Sequence, residues 1–150
     1  MGKRREGREA AAQFLFAHEL HGEHTVEEQS AFWMIHTAKP QVRAYAEELI
    51  RGVLSHQQEI DAIISPVVEN FRLERLAGVD RNILRVAVHE LMHVPDVPAP
   101  VILNEAIEVA KSLGGNESGA FVNGVLHRLM RQIRPMKSNG PAAREAADQA

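Results

Sequence analysis

Apolar residues recur along this chain with the i, i+3, i+4, i+7 spacing of a helix face, and no segment alternates long enough to make a convincing strand. Val42, Tyr45, Ala46, Leu49, Ile50, Val53 and Leu54 follow that spacing across 41–55, and Pro40 stands where a first-turn proline is tolerated. Ile60, Ile63, Ile64, Val67, Val68 and Phe71 continue it, with Pro66 expected to kink or interrupt the segment. Asp80 is placed to cap a helix that turns Ile83, Leu84, Ala87, Val88 and Leu91 toward a core. Pro95, Pro98 and Pro100 force a break. The next stripe is Ile102, Ala106, Val109, Ala110 and Leu113, closed by Gly114-Gly115. Asn116 or Ser118 opens a last helix with Val122, Val125, Leu126, Leu129 and Ile133 on one face, ended by Pro135.

Upstream, residues 3–22 read as a helix burying Ala12, Leu15, Phe16 and Leu20. Thr25-Val26-Glu27-Glu28 resembles a capping box for a short helix through Trp33 and Ile35. The expectation is an all-α fold of about seven short helices. They occupy a single domain over residues 1–136, and the Ala-, Gly- and Pro-rich stretch 137–150 is expected to be a disordered tail.

Composition narrows the class. With 150 residues, 45% hydrophobic and 25% charged, the chain has the makeup of one ordinary globular domain. It has no cysteine, which excludes disulfides, thiolate metal sites and cysteine nucleophiles. No apolar run reaches the roughly 18 residues of a membrane span, and the basic start lacks the apolar stretch of a secretory signal. A cytoplasmic protein without a membrane partner is therefore expected. The net charge of −3 is unevenly spread. Lys3, Arg4, Arg5 and Arg8 face only Glu6 at the start, and nothing acidic occurs between Glu117 and Glu145. Two basic ends flanking an acidic middle point to two kinds of partner surface, though charged termini are also commonly just solvated.

Two motifs suggest chemistry. His89-Glu90-Leu91-Met92-His93 is a literal H-E-x-x-H, in which two histidines one turn apart hold zinc and the glutamate activates a metal-bound water. A third ligand could be sought at Glu105, but it follows His93 by only twelve residues across a proline-rich turn. No strand stands beside the motif to align a peptide, and His89 continues a packed helix face. The second motif is the cluster Lys3, Arg4, Arg5 and Arg8, which crowds the helix end where the macrodipole disfavours cations. Such placement calls for a compensating anion, and phosphate is the obvious one. Gln13, further along, offers both a donor and an acceptor to a base edge. Phosphate-binding glycine loops and serine nucleophile elbows are absent from the sequence.

Several stretches, in order, resemble the NusB family of bacterial transcription antitermination factors over roughly residues 4–135. The start is Arg4-Arg5-Glu6-Gly7-Arg8-Glu9-Ala10-Ala11-Ala12-Gln13-Phe14-Leu15-Phe16. The middle is Arg75-Leu76, Asp80-Arg81-Asn82-Ile83-Leu84-Arg85-Val86-Ala87 and Glu90-Leu91. The most specific stretches are Val101-Ile102-Leu103-Asn104-Glu105-Ala106-Ile107-Glu108-Val109-Ala110-Lys111 and Phe121-Val122-Asn123-Gly124-Val125-Leu126. The resemblance implies two packed helical subdomains, no cofactor and no catalysis. It implies binding to boxA RNA of ribosomal RNA transcripts, together with a NusE-type small-subunit ribosomal protein, beside other Nus factors on RNA polymerase. By the same resemblance the RNA surface draws on Arg4, Arg5 and Arg8, then Lys3 and Gln13, and on Glu117, Ser118 and Phe121 where the last helix opens. Monomer and homodimer both stay open. Gly7 and Glu6 interrupt the family's basic run, Phe16 replaces a tyrosine, and His89 stands where an aromatic is common. Read this way, Glu90-Leu91 belongs to an ordinary core helix and the zinc motif is an accident. A protein-interaction module without RNA, and more remotely a zinc hydrolase, remain the competing readings.

Overall fold

The computed structural model describes residues 2–21, 26–68 and 76–135, and the predicted tail, Thr25, Phe71 and Arg75 lie outside them. Among the described residues seven helices run in chain order: α1 (Lys3–His21), α2 (Val26–Ile35), α3 (Pro40–Ser55), α4 (Gln57–Ile64), α5 (Gly78–His93), α6 (Ala99–Gly114) and α7 (Asn116–Ile133). Among the described residues there is no strand, and no helix is long and apolar enough to cross a membrane.

Local chemistry explains most boundaries. Pro40 and Pro100 occupy first-turn positions of α3 and α6, where no intrahelical N–H is needed. Gly115, at φ +92°, separates α6 from α7. Asp80 is not the cap of α5, because that helix begins two residues earlier with Ala77 as its N-cap; the carboxylate still lies in the first turn, where the dipole favours it. The far end of α5 is closed from another helix. The Arg134 guanidinium donates to the carbonyls of Leu91 (2.9 Å) and Val94 (3.0 Å), acceptors at the open end of the helix, and to that of Val97 (2.7 Å) in the turn beyond it.

Two apolar cores result, matching the expected pair of subdomains. The smaller joins α1, α2 and α3 through Ala10, Ala11, Phe14, Leu15, Trp33, Ala46, Leu49, Ile50 and Val53, with Val86 reaching in from α5. The larger joins α4 to α7, with Ile60, Ile64, Leu84, Val88, Ile102, Val109, Leu126 and Leu129 among its members and Ala12 reaching in from α1. The buried face of α1 therefore differs from the predicted one. Ala12 and Leu15 are inside, but Phe16 is 36% and Leu20 72% exposed, and Phe14 takes the interior place. The reason is that α1 packs against both α3 and α5, so its covered face centres on the alanines and Phe14.

Helix α5 lies between the two cores, and every residue from Asn82 to Leu91 is buried. Its polar members have to find partners inside. Arg85 makes a two-pronged contact with Asp61 of α4 (2.8 and 2.9 Å), bonds Asn82 at 3.1 Å and also reaches Glu19 of α1. Arg81 makes a second two-pronged contact with Glu19 (2.9 and 2.6 Å), and although burial opposes ionisation there, the two arginines hold the Glu19 carboxyl below its usual range. On another side Glu90, 1% exposed, accepts from Arg8 Nε and Nη2 (2.8 and 3.0 Å) and from the Tyr45 hydroxyl (2.6 Å). Burial works against the Arg8 charge, but Glu90 outweighs it and the guanidinium pKa is raised. Burial and Glu90 together raise the Tyr45 phenol. Gly7 makes this geometry fit: a Cβ there would stand 2.7 Å from the Tyr45 ring.

Removing one member of this group should strand a buried charge. Arg8→Met is expected to cost about 3–5 kcal/mol in denaturant unfolding. The triple change Arg8→Met, Tyr45→Phe, Glu90→Leu should recover most of that loss, because it removes the charges together. A single-variant loss below about 1 kcal/mol would show that the pair does not hold α1 to α5.

Candidate nucleic-acid interface

The basic start of α1 divides among three environments because successive helical residues turn by about 100°. Lys3 and Arg4 are exposed. The Arg4 guanidinium lies 5.7 Å from the centre of the Tyr45 ring, and that of Arg8, one turn on, lies 5.6 Å from it. Those two share a face as the spacing predicts, yet Arg8 is only 4% exposed. The guanidinium of Arg8, expected at an RNA phosphate, is paired with Glu90 inside the protein. Arg5 turns toward α6, where Nε and Nη2 donate to Oε1 and Oε2 of Glu105 at 2.7 and 2.8 Å. The hydrogen bonds from Arg5 hold the Glu105 carboxyl below its usual range, and those to Glu105 raise the Arg5 pKa.

Between this first turn and α6 lies a groove of about 380 Å³, lined by Gly2, Lys3, Arg4, Arg5, Arg8, Val101 and Glu105. The other predicted residues sit elsewhere. Gln13 is half-buried on the third turn of α1. Glu117 is exposed and Ser118 half-buried in the first turn of α7, and Phe121 packs its half-buried ring against the larger core. Ser118 rests on the far end of α6, its Oγ lying 2.3 Å from where a Cβ on Gly114 would stand. From Glu105 to Gly114, α6 rises about 14 Å, so the groove and the start of α7 occupy opposite ends of one helix. The sequence reading missed Val101 and Glu105 as lining residues. The signal available was the apolar Val101 at an α6 position that ends up 44% exposed.

The H-E-x-x-H residues are not arranged for hydrolysis. Glu90, the would-be base, points into the interior toward Arg8 and Tyr45, and Glu105, the would-be third ligand, is held by Arg5. His89 is 7% exposed and lies across Gly52 of α3, where a Cβ would meet its ring at 2.1 Å. His93 stacks on His56, the C-cap of α3, with ring centres 4.0 Å apart. Among the described residues no group of three or more His, Asp or Glu is disposed to hold a metal ion.

The described residues thus make a small all-helical protein whose basic helix start is divided between interior ion pairs and solvent. The sequence profile of the NusB family matches residues 5–131, and the chain belongs to that family. It is 48% identical over 133 residues to the transcription antitermination protein NusB of Sorangium cellulosum, covering 89% of this chain and 95% of that one. To the protein of the same name from Myxococcus xanthus it is 42% identical, covering 86% and 95%. Among solved structures, NusB of T. maritima superposes with a TM-score of 0.73 at 34% identity, over 97% of this chain and 98% of that one. A NusB crystallised with NusE and dsRNA superposes with a TM-score of 0.78 at 28% identity, over 88% and 98%. The curated relatives carry the name of antitermination proteins and not of enzymes.

His89 gives the fold a pH dependence whose sign is fixed. Burial, with the neighbouring charge of His93, lowers its pKa from 6.5 to about 4, against the opposing pull of Glu90. Between those values the unfolded chain binds the proton and the folded chain does not, so acid favours unfolding. This share of the stability is complete above pH 6.5 and is lost as the pH falls toward about 4. His89→Phe keeps an aromatic ring over Gly52 and should flatten the melting-temperature profile in that window by several degrees. An identical profile in both proteins would show that His89 is not the titrating group.

Proposed function

We propose that this chain is a non-catalytic antitermination factor of the cytoplasm. It binds boxA RNA of ribosomal RNA transcripts jointly with a NusE-type ribosomal protein, within an RNA polymerase elongation complex that includes the other Nus factors. The observation that carries this reading is the family match across nearly all of the described chain, with Lys3 and Arg4 left in solvent at the rim of a groove. It is supported by the solved relative whose crystal holds NusE and RNA. Lys3 and Arg4 contact phosphate, and Arg5 supplies a further cation at the groove edge. Gln13 addresses a base edge, and Glu117, Ser118 and Phe121 form a second contact at the other end of α6. Arg8 acts indirectly, by fixing the helix that presents the others.

The salt dependence of binding tests this. With the NusE-type protein present, a boxA RNA should bind more tightly than a scrambled one. Lys3→Ala with Arg4→Ala should reduce the slope of log K against log salt by up to about 1.4, or about 0.7 per phosphate contact. Sequence preference should outlast affinity, since phosphate contacts position the strand and base contacts specify it. Unchanged affinity and slope in a folded double variant would remove this helix from the RNA site. A chain that binds the ribosomal protein but no RNA would be a protein-interaction module instead.

A further inference from the structure

The α1 groove does not involve the chain's second basic stretch, in which nothing acidic occurs between Glu117 and Glu145. Most of the described part of that stretch is α7. At about 100° per residue, positions 120, 124, 127 and 131 form one straight stripe along the helix, and Ala120, Gly124, His127 and Arg131 are all exposed. Arg128 borders the stripe on one side and Asn123 on the other, both of them exposed as well. These arginines differ from those inside the protein. Arg5, Arg8, Arg81 and Arg85 are each neutralised by a carboxylate. Arg131 has no hydrogen-bond or ion-pair partner among the described residues. Arg128 makes only a long 3.5 Å contact with the Val67 carbonyl, which leaves its charge uncompensated.

Gly124 is a second and independent sign. It stands in the middle of α7, where glycine is destabilising relative to alanine. Other helical glycines have a neighbour that needs the space: a Cβ at Gly7, Gly52 or Gly119 would stand 2.7, 2.1 or 2.8 Å from the side chain of Tyr45, His89 or Lys111. At Gly124, apart from its own stretch of helix, nothing among the described residues lies within 4 Å of that position. No internal packing explains the missing side chain, and bare backbone is what lets a ligand come close. Together with Ala120 one turn earlier, Gly124 forms a shallow floor that leads to His127, Arg128 and Arg131.

We infer that the outer face of α7 holds the sugar–phosphate backbone of RNA flanking boxA, close against Gly124, with Arg128 and Arg131 on its phosphates. The inference rests on the RNA-binding function proposed above and extends the bound strand beyond boxA. Glu117 and Phe121 border the stripe at its start, so this face continues the second contact assigned there. From Phe121 to Arg131 the helix rises about 15 Å, enough to follow several nucleotides. The cations are spread along a helix that exposes no Phe, Tyr or Trp for a base to stack on, so the face favours the backbone over the bases. It adds affinity without reading sequence.

The test uses the full chain with the NusE-type protein, a boxA RNA, and the same RNA extended by six uridines at its 5′ or its 3′ end. One of the two extensions should steepen the dependence of log K on log salt by about 1.4, or about 0.7 for each arginine contact. On lowering salt from about 200 to about 50 mM, that strand should therefore gain about 7-fold more affinity than the unextended one. Cytidines in place of the uridines should give the same result. Arg128→Gln with Arg131→Gln should bind the unextended RNA as the unaltered chain does and lose the gain from the extension. Gly124→Leu sends its side chain into open space and should melt no lower than the unaltered chain, yet lose the gain too. Persistence of the gain in either folded variant, or no gain in the unaltered chain, overturns the assignment to α7 and leaves boxA binding standing. A double arginine variant that binds RNA normally but holds the ribosomal protein less tightly would make this face a protein contact instead. Failure of the unaltered chain to bind boxA RNA at all overturns both readings.

Discussion

The Glu90 carboxylate sits almost fully buried in the middle of the protein, and much of the architecture follows from keeping it satisfied. An ionised carboxylate removed from water without partners is far too costly for a domain of ordinary stability. Arg8 supplies the countercharge and two hydrogen bonds, and Tyr45 supplies a third. Those partners come from α1 and α3, so α5 is tied to two of the three helices of the smaller core while its other faces build the larger one. The second polar knot, Arg85 with Asp61, Glu19 and Asn82, ties α5 to α4 and again to α1. Two subdomains are thereby held in one fixed arrangement by hydrogen bonds with strict geometry, which apolar packing alone would leave freer to slide.

The same constraint shapes the interface. One run of basic residues serves two ends, because a helix turns consecutive side chains in different directions. Arg8 is used inside, Arg5 is fixed against α6, and Lys3 with Arg4 stays in solvent. The interior pair thus orients the exposed ones: α1 cannot roll without breaking the Arg8–Glu90 contact. Gly7, which interrupts the basic run, is where Tyr45 comes closest to the helix. What looks like a gap in a charge pattern is a packing requirement.

The H-E-x-x-H stretch shows how a motif can match in sequence and fail in space. Its chemistry needs both histidines and the glutamate to serve one metal. Here Glu90 faces Arg8 and Tyr45, while His89 and His93 face α3 and its C-cap, His56. His89 fills a slot made by Gly52, as an aromatic residue would. Its buried ring is a packing element with a lowered pKa.

The sequence by itself determined the helices, most of their boundaries, the apolar faces of α3 to α7 and the family, because each depends on spacing within a short window or on ordered motifs. It also marked α1 as basic. Only the tertiary structure decided which charges are inside. Arg4, Arg5 and Arg8 are the same residue type, and nothing local distinguishes one fated for Glu90, 82 positions on, from one fated for Glu105, 100 positions on, or for solvent. The exchange of Phe16 for Phe14 in the core has the same origin. A helix turns almost any of its faces outward at similar local cost, and the choice is made by the neighbours that pack against it, which are distant in the chain.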